Sequence, residues 1–258
     1  MDKTYVVTGA ASGIGAQTAV QLSEAGARVI CVDRNVPADA SSDFVQLDLS
    51  KSDSISAGLA QIIELAGGPI HGLANIAGVP GTAPAELVMT VNVYGLRAFT
   101  DGLMGRLVPG AAIVNLASSV AEGWIERAPM IRRALEVSDV QQLSTDPELV
   151  RLVDEESYLF SKQCVRMLTE WQAVAGIERK IRANSVSPGP VSTPILDDFK
   201  ADHGRDKVEG ASKLLGKFGE VDEIADVIVF LLSDKARWIN GTDIRVDGGL
   251  VAARRSGN

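Results

Sequence analysis

An α/β fold built on a doubly wound parallel sheet is the class that this 258-residue sequence predicts. Short β-branched runs alternate with longer amphipathic segments, which is typical of strands joined by crossover helices. The runs are apolar on both faces, as strands must be when helices cover both sides of their sheet. We therefore expect a parallel sheet of about seven strands, flanked by helices, in a single domain over residues 1–258.

The predicted elements follow in chain order. Strands are predicted at 5–8, 27–33, 43–48, 70–76, 111–117, 181–186 and 243–246. Helices are predicted between them at 14–25, 51–66, 84–107, 157–175 and 221–233. Two segments interrupt the alternation, namely a helical insertion at 120–157 and a loop at 192–220. Because such sheets bind ligands at the carboxyl ends of their strands, we expect that loop to contact the substrate. The tail at about 252–258 is predicted to fray.

Charge and composition exclude several classes of protein. Lys and Arg number 25 against 33 Asp and Glu, which gives a net charge of −8. That charge opposes binding to nucleic acids or to anionic membranes. The most apolar run, 227–232, is too short to span a bilayer. The chain starts without a signal-peptide pattern and has two distant cysteines and two histidines, so we expect a cytoplasmic protein with reduced thiols and no metal site.

A glycine-rich loop, TGAASGIG at 8–15, follows the first predicted strand. Gly9 permits a tight turn out of the strand. Gly13 and Gly15 let the backbone and the next helix approach a pyrophosphate, which binds the free N–H groups at a helix N-terminus. Between a strand and a helix, this loop predicts a Rossmann-type dinucleotide site, to which Ser12 and Ile14 also contribute.

Asp33 ends the second predicted strand, where a carboxylate accepts hydrogen bonds from both hydroxyls of an adenosine ribose and repels a 2′-phosphate. Arg34 follows it, and an arginine can accept that phosphate. The glycine loop, however, carries Ser12 rather than a basic residue before its second glycine. We therefore expect NAD as the cofactor, with NADP as the alternative.

The order of the motifs resembles the short-chain dehydrogenase/reductase family over nearly the whole chain, from Thr8 to Gly249. The resemblance rests on the glycine loop and on these later segments: Asp48-Leu49, NIAG at 75–78, VNVYG around Asn92, Ser118, YLFSK at 158–162, RANSVSPGPVSTP at 182–194 and DGG at 247–249. Ile76 stands where the family has a second Asn. The resemblance implies an enzyme that exchanges a hydride between a nicotinamide cofactor and a small-molecule alcohol or its carbonyl counterpart.

Tyr158 and Lys162 are four residues apart on a predicted helix and so share one face. A phenol with a pKa near 10 is a poor base at neutral pH, but a neighbouring ammonium and the positive nicotinamide ring of NAD⁺ favour the phenolate. Taken alone, the pair would more often belong to an ordinary amphipathic helix, since Tyr and Lys are common on helices. The motifs around it make it a candidate catalytic pair, in which Tyr158 exchanges the proton and Lys162 also binds the nicotinamide ribose.

The resemblance also implies roles for other residues. Ser118 would donate a hydrogen bond to the substrate oxygen, and Asn92 would hold a water that relays protons from Lys162. Ser119 is the alternative serine, although the register of strand 113–115 favours Ser118. Further cofactor contacts are implied for Asp48, Leu49, Asn75, Ala77, Gly78, Pro188, Gly189, Val191 and Thr193.

The substrate stays open between two branches of the family. Segments 76–83, 188–196 and 237–250 resemble a branch that acts on an aromatic allylic alcohol. The long gap between Ser118 and Tyr158 resembles a branch that acts on hydroxysteroids and other carbonyl compounds. A catalytically silent NAD-binding module is the non-enzyme alternative, but the Ser/Tyr/Lys set is intact.

The insertion at 120–157 carries apolar residues at helical intervals, beginning with Trp124. In family members with a short connection here, the fourth and fifth helices pair to form the main dimer, so the insertion either covers that surface or extends it. We expect a homodimer or homotetramer. We also expect Trp124 and its neighbours to line the substrate pocket, because they follow Ser118 directly. The alternative is a surface helix pair that packs on its own domain and contacts neither the site nor a partner.

Overall fold

The described residues, 3–37, 43–194 and 196–257 of a computed structural model, form one parallel sheet of seven strands. Residue 195 of the predicted substrate loop therefore lies outside the description. The strands are β1 Thr4–Thr8, β2 Arg28–Asp33, β3 Phe44–Gln46, β4 Ile70–Asn75, β5 Leu107–Leu116, β6 Arg182–Pro188 and β7 Asp243–Val246. Their spatial order is β3-β2-β1-β4-β5-β6-β7, so the direction of winding reverses between β1 and β4. Ligand sites of open α/β sheets lie at such a reversal.

Helices cover both faces of the sheet. They are α1 Gly13–Glu24, α2 Ser52–Ala66, α3 Ala85–Met89, α4 Leu96–Met104, α5 Ala128–Glu136, α6 Pro147–Gly176, α7 Leu196–His203, α8 Arg205–Leu215, α9 Val221–Leu232 and α10 Leu250–Arg255. In β1, Tyr5 and Val7 pack with side chains of α1 and α9, whereas Val6 packs with those of α2 and α4. This alternation confirms that both faces of the strand are buried. No helix in the described part of the chain is long and apolar enough to cross a bilayer.

The insertion is helical but divided. It contains 3₁₀ turns at Ser119–Ala121, Trp124–Arg127 and Val140–Thr145, together with α5 and the first turns of α6. Helix α6 begins at Pro147 rather than at 157, because the Asp146 side chain accepts from the N–H groups of Glu148 and Leu149 and proline suits the first helical position. A non-helical backbone at Glu156 marks a kink where the predicted helix was expected to start.

Hydrogen bonds hold the insertion against the segment that follows α3. The Tyr94 hydroxyl donates to the Ala134 carbonyl at 2.9 Å, and Arg97 donates to the carbonyls of Leu135 and Val137 at 2.7 Å each. The insertion therefore packs on this helical surface of its own chain.

The C-terminal tail forms the helix α10 as far as Arg255, so the prediction that it frays from about 252 is wrong for residues 252–255, while residue 258 lies outside the description. Asp247 accepts hydrogen bonds from the N–H groups of Gly249 and Val251, both at 2.9 Å, and so caps the helix. Leu250 and Val251 are buried, and Arg255 forms an ion pair with Glu122 at the other end.

Candidate active site

A cleft of about 440 Å³ opens at the carboxyl ends of the central strands. Loops after β1, β2, β4, β5 and β6 line it, together with α6, α8 and α10. The structure brings these predicted site residues together in its wall: Gly9, Ser12, Gly13, Ile14, Gly15, Asp33, Asp48, Leu49, Ala77, Gly78, Ser118, Tyr158, Lys162, Pro188, Gly189, Val191 and Thr193. Asn75 and Asn92 do not line the cleft.

The glycine loop is shaped by close approach of the backbone to itself. Gly9 has φ +72°, and a Cβ there would lie 2.9 Å from the Ala77 amide nitrogen. A Cβ on Gly15 would lie 2.1 Å from the Gly9 carbonyl oxygen. The Thr8 hydroxyl accepts from the N–H groups of Ile76, at 3.0 Å, and Ala77, at 3.1 Å. Only glycine fits these positions, and the result is a helix N-terminus open to the cleft.

Asp33 is tied to the same loop. One carboxylate oxygen accepts from the Ala11 N–H at 3.1 Å, and the other accepts from the Asn35 N–H at 2.9 Å. Both contacts are to backbone, so the carboxylate is fixed at the end of β2 while it faces the cleft. Arg34 also lines the cleft. This region therefore combines an acid suited to a ribose with a neighbouring cation.

Ser118 and Tyr158 meet at the centre of the cleft wall through a side-chain hydrogen bond. Burial raises the pKa of Tyr158, and the Ser118 contact lowers it in part. Lys162 lies on the same face of α6, with Nζ 5.6 Å from the centre of the Tyr158 ring. Its Nζ donates to the Leu116 carbonyl at 2.8 Å.

The expected lowering of the Tyr158 pKa is not found in the protein alone. Burial lowers the pKa of Lys162 to about 8, so the lysine is itself a desolvated group whose positive charge is disfavoured. The net pKa shift of Tyr158 is upward, and the lysine does not overcome it. Any phenolate therefore needs a further positive charge in the cleft.

Asn92 lies behind the cleft in a π-helical turn, Thr90–Gly95, that sequence patterns did not indicate. Its side-chain oxygen accepts from the Val79 N–H at 2.9 Å, while its amide donates to the Val79 carbonyl at 3.1 Å and to the Ser161 hydroxyl at 3.2 Å. A Cβ on Gly78 would lie 3.1 Å from Asn92 Oδ1 and 3.6 Å from Lys162 Nζ. Asn92 thus bridges two segments next to the lysine.

Asn75 points away from the cleft. Its amide donates to the Thr100 hydroxyl at 2.9 Å and to the Asn115 side chain at 2.8 Å, and all three residues are buried. The polar chain continues from Asn115 to Thr169 and Gln172. The Asn75 side chain therefore links β4 and β5 to the helices behind them.

The substrate end of the wall differs from expectation at Trp124. Ser118, Ser119 and Val120 line the cleft. Trp124 instead packs among insertion residues, and the guanidinium carbon of Arg166 lies over it, 6.0 Å from the centre of the Trp124 ring. The glycine turn at Gly123, with φ +77°, redirects the chain before Trp124. The prediction that Trp124 lines the pocket is wrong.

Sequence reasoning missed Leu250 and Arg254 of α10 at this end of the cleft. Val208 and Ala211 also line it, and they lie in the segment 192–220 that was expected to contact the substrate, but on the helix α8 rather than in a loop. The apolar pair Leu250-Val251 after two glycines was the available signal for α10. Among the described residues, no group of three His, Cys, Asp or Glu side chains is placed to hold a metal ion.

Comparison with known proteins identifies the family. The family model described as "short chain dehydrogenase" matches residues 3–129, and one described as "Enoyl-(Acyl carrier protein) reductase" matches residues 128–251. The chain belongs to the short-chain dehydrogenase/reductase family of oxidoreductases, as its motifs predicted.

Named relatives cover the whole chain. It is 38% identical to the coniferyl-alcohol dehydrogenase of Pseudomonas sp. (strain HR199 / DSM 7063), across 97% of both chains. It is 29% identical to the 3-alpha-hydroxysteroid dehydrogenase/carbonyl reductase of Comamonas testosteroni, again across 97% of both. The crystal structure of the 3-alpha-hydroxysteroid dehydrogenase from Pseudomonas sp. B-0831, complexed with NADH, matches with a TM-score of 0.80 and 32% identity over 99% of this chain and 100% of that one.

Proposed function

We propose that the protein is an NAD-dependent oxidoreductase that interconverts an alcohol and its ketone or aldehyde. The observation that carries this proposal is the arrangement of Ser118, Tyr158 and Lys162 in one wall of a cleft that starts at the glycine loop and Asp33. A hydroxyl donor, a proton-exchanging phenol and a cation then face the same space, which is what proton transfer to or from a carbinol oxygen needs.

The cleft fits a nicotinamide dinucleotide. Gly13, with φ +56°, leaves the N-terminus of α1 bare for a pyrophosphate, and Asp33 is held to meet ribose hydroxyls. Leu49 and Asp48 would contact the adenine, and Gly189, Val191 and their neighbours the nicotinamide. Bound NAD supplies the hydride acceptor or donor. The NADH complex of the related hydroxysteroid dehydrogenase supports this choice.

Each residue of the set has a separate task. Ser118 donates to the substrate oxygen and orients it, while Tyr158 takes the hydroxyl proton during oxidation and returns one during reduction. Because burial raises the pKa of Tyr158, the phenol is protonated at neutral pH and is ready to act as the acid in reduction. In oxidation, the positive charges of Lys162 and of the oxidised cofactor stabilise the phenolate. Asn92 would connect Lys162 to a water chain.

For the substrate, we favour an aromatic allylic alcohol. The identity of 38% to a coniferyl-alcohol dehydrogenase supports this class, and the apolar wall of Val120, Val208, Ala211 and Leu250 suits a ring. The second candidate is a hydroxysteroid or its carbonyl counterpart, which the two hydroxysteroid dehydrogenase relatives support.

A panel of alcohols with NAD⁺ and NADP⁺ tests the proposal through the absorbance of the reduced nicotinamide. Benzylic and allylic aromatic alcohols, steroids and cyclic alcohols are compared by kcat/KM. Tyr158→Phe should bind NADH as the parent does and lose nearly all turnover, because only the oxygen that exchanges the proton is removed. Full turnover in Tyr158→Phe contradicts the mechanism, and no turnover of any alcohol contradicts the function in favour of a silent NAD-binding module.

We also propose that the enzyme works in the cytoplasm as a homodimer or homotetramer. Both cysteines are free, in keeping with a reducing compartment. Trp238, five residues before the edge strand β7, is 97% exposed, and burial of its ring against a second copy of the chain would remove apolar surface from water. Light scattering tests the assembly, and a monomer at micromolar concentration contradicts it.

A further inference from the structure

Arg254 is a cation in the cleft wall that the proposed chemistry does not use. It lies four residues after Leu250 on α10, so the two side chains share a face, and both line the cleft. The helix that carries them is anchored at both ends, by the Asp247 cap and by the ion pair of Arg255 with Glu122. Arg254 is itself exposed to solvent, so it stands at the open rim of the cleft on a fixed support.

The order of the sheet places Arg254 far from the adenosine site. Asp33 ends β2, whereas α10 follows β7, and five interstrand spacings separate these two strands. At about 4.8 Å per spacing they lie on the order of 24 Å apart. Between them are β5, which leads to Ser118, and β6, which leads to the predicted nicotinamide contacts. Arg254 consequently belongs to the substrate end.

The charge of Arg254 is unbalanced locally. In the described structure, Arg166 pairs with Asp243, Arg245 with Glu122 and Asp247, and Arg255 with Glu122. For Arg254, the part of the chain that is described provides no ion pair and no side-chain hydrogen bond. Its wall neighbours Val208, Ala211 and Leu250 are apolar. A guanidinium has five N–H donors in a planar fork that matches a carboxylate, so these donors remain available to a ligand.

An acid at the other side of the reaction centre limits where a substrate anion can lie. Asp202 on α7 lies against Gly81, since a Cβ there would overlap its carboxylate. Its negative charge also helps to raise the pKa of Tyr158, so the acid disfavours further negative charge beside that phenol. An anionic group of the substrate is better accommodated at the Arg254 end of the cleft.

We propose that Arg254 binds an anionic oxygen group, a carboxylate or phenolate, at the end of the substrate remote from its alcohol carbon. This inference rests on the proposed function and narrows it to alcohols, or their carbonyl counterparts, with an apolar body and a distal anion. It disfavours 2-hydroxy acids, whose carboxylate adjoins the carbinol and so lies far from Arg254.

Binding to the protein preloaded with NADH tests the inference without requiring turnover. The probes are cinnamyl alcohol and the same alcohol with a carboxylate para to its side chain, each titrated calorimetrically at pH 7.5. The parent protein should bind the carboxylate about tenfold more tightly, since the pair lies in a partly solvated wall. Arg254→Ala should lose this preference and Arg254→Lys should keep part of it. The matched control is Arg106→Ala. Arg106 is an exposed arginine just before β5, at the amino ends of the strands and so away from the cleft.

Three results overturn the inference: no preference for the carboxylate in the parent, the same preference in Arg254→Ala, or equal weakening of both probes or of NADH itself. The last result would assign Arg254 to the cofactor or to the fold, and thermal melts of each variant separate those two. Turnover of both probes is measured alongside. A carboxylate preference without turnover contradicts the proposed function alone, whereas turnover without the preference contradicts Arg254 alone.

Discussion

The two ends of the cleft are built differently: one end is formed by the main chain and the other by side chains. At the β1–β2 end, backbone approaches backbone so closely that Gly9 and Gly15 have no room for a Cβ, and the Asp33 carboxylate is held by two backbone N–H groups. At the β6–β7 end, side chains such as Val208 and Arg254 project from separate helices. A backbone site accepts few substitutions, whereas a side-chain wall can be changed without altering the fold. Cofactor binding is therefore the constrained property and substrate choice the adjustable one.

Ser118 lies where the two ends meet, and its loss should have the largest effect of the predictions that follow. Ser118→Ala should lower kcat/KM at least about a hundredfold, because it deletes one hydrogen-bond donor to the reacting oxygen. Ser119→Ala is the matched control and should cost much less, since Tyr158 is hydrogen-bonded to Ser118. If Ser119→Ala is the more damaging variant in steady-state kinetics, the assignment of the serine is wrong.

Substitutions of Asp33 test the cofactor end of the cleft, which is the constrained end. Asp33→Ala should reduce the preference for NAD⁺ over NADP⁺ by ten- to a hundredfold in kcat/KM, because the charge that repels a 2′-phosphate is removed. Asp33→Asn also removes the charge but keeps one of the two acceptor oxygens, so it retains one of the hydrogen bonds from the Ala11 and Asn35 N–H groups that Asp33→Ala loses entirely. The difference between the two variants therefore measures how much loop geometry adds to the loss of charge. Equal use of both cofactors by the parent protein would contradict the assignment of Asp33.

The buried charge of Lys162 should destabilise the folded protein, in addition to the part that this residue takes in catalysis. Its pKa of about 8, against 10.5 for a solvated lysine, corresponds to about 3 kcal/mol of destabilisation at neutral pH. Loss of its hydrogen bond to the Leu116 carbonyl offsets part of this in Lys162→Met. We expect that variant to be inactive, yet more stable by about 1 kcal/mol at pH 7.

The pH dependence of this difference identifies its cause. Between pH 8 and 10.5 the unfolded parent binds more protons than the folded one, so its stability rises with pH relative to the variant. Urea unfolding at pH 7 and pH 10 should show the advantage of Lys162→Met shrinking. Lys213→Met, at an exposed lysine of α8, should show no such trend. A constant difference would mean that packing, not charge burial, is responsible.

The sequence predicted the constrained end better than the adjustable one, for a physical reason. Close backbone approach demands glycine, so the spacing of Gly9, Gly13 and Gly15 carries the geometry of the loop. The wall of the substrate end depends on how distant helices pack together, which the spacing of residues along the sequence does not predict. Arg254 came from a tail expected to fray from about 252, because its helix depends on the Asp247 cap and on Glu122, more than a hundred residues away. Asn75 shows the opposite error. The motif predicted a cofactor contact for it, but its side chain points inward and is hydrogen-bonded to Thr100 and Asn115.

Substitution of Trp124 should have the smallest effect on catalysis, because this residue lies outside the substrate end of the cleft. It therefore marks where the adjustable end stops. It packs among insertion residues and under Arg166 instead of in the cleft, so Trp124→Ala should destabilise the protein by about 1–3 kcal/mol through lost packing. The ratio of KM values for a bulky and a small alcohol should stay within twofold of the parent. Val120→Ala is the matched control, because Val120 does line the cleft and its truncation should change that ratio. A large change of the ratio in Trp124→Ala with none in Val120→Ala would place Trp124 in the substrate site after all, and the boundary of the adjustable end would move from Val120 to Trp124.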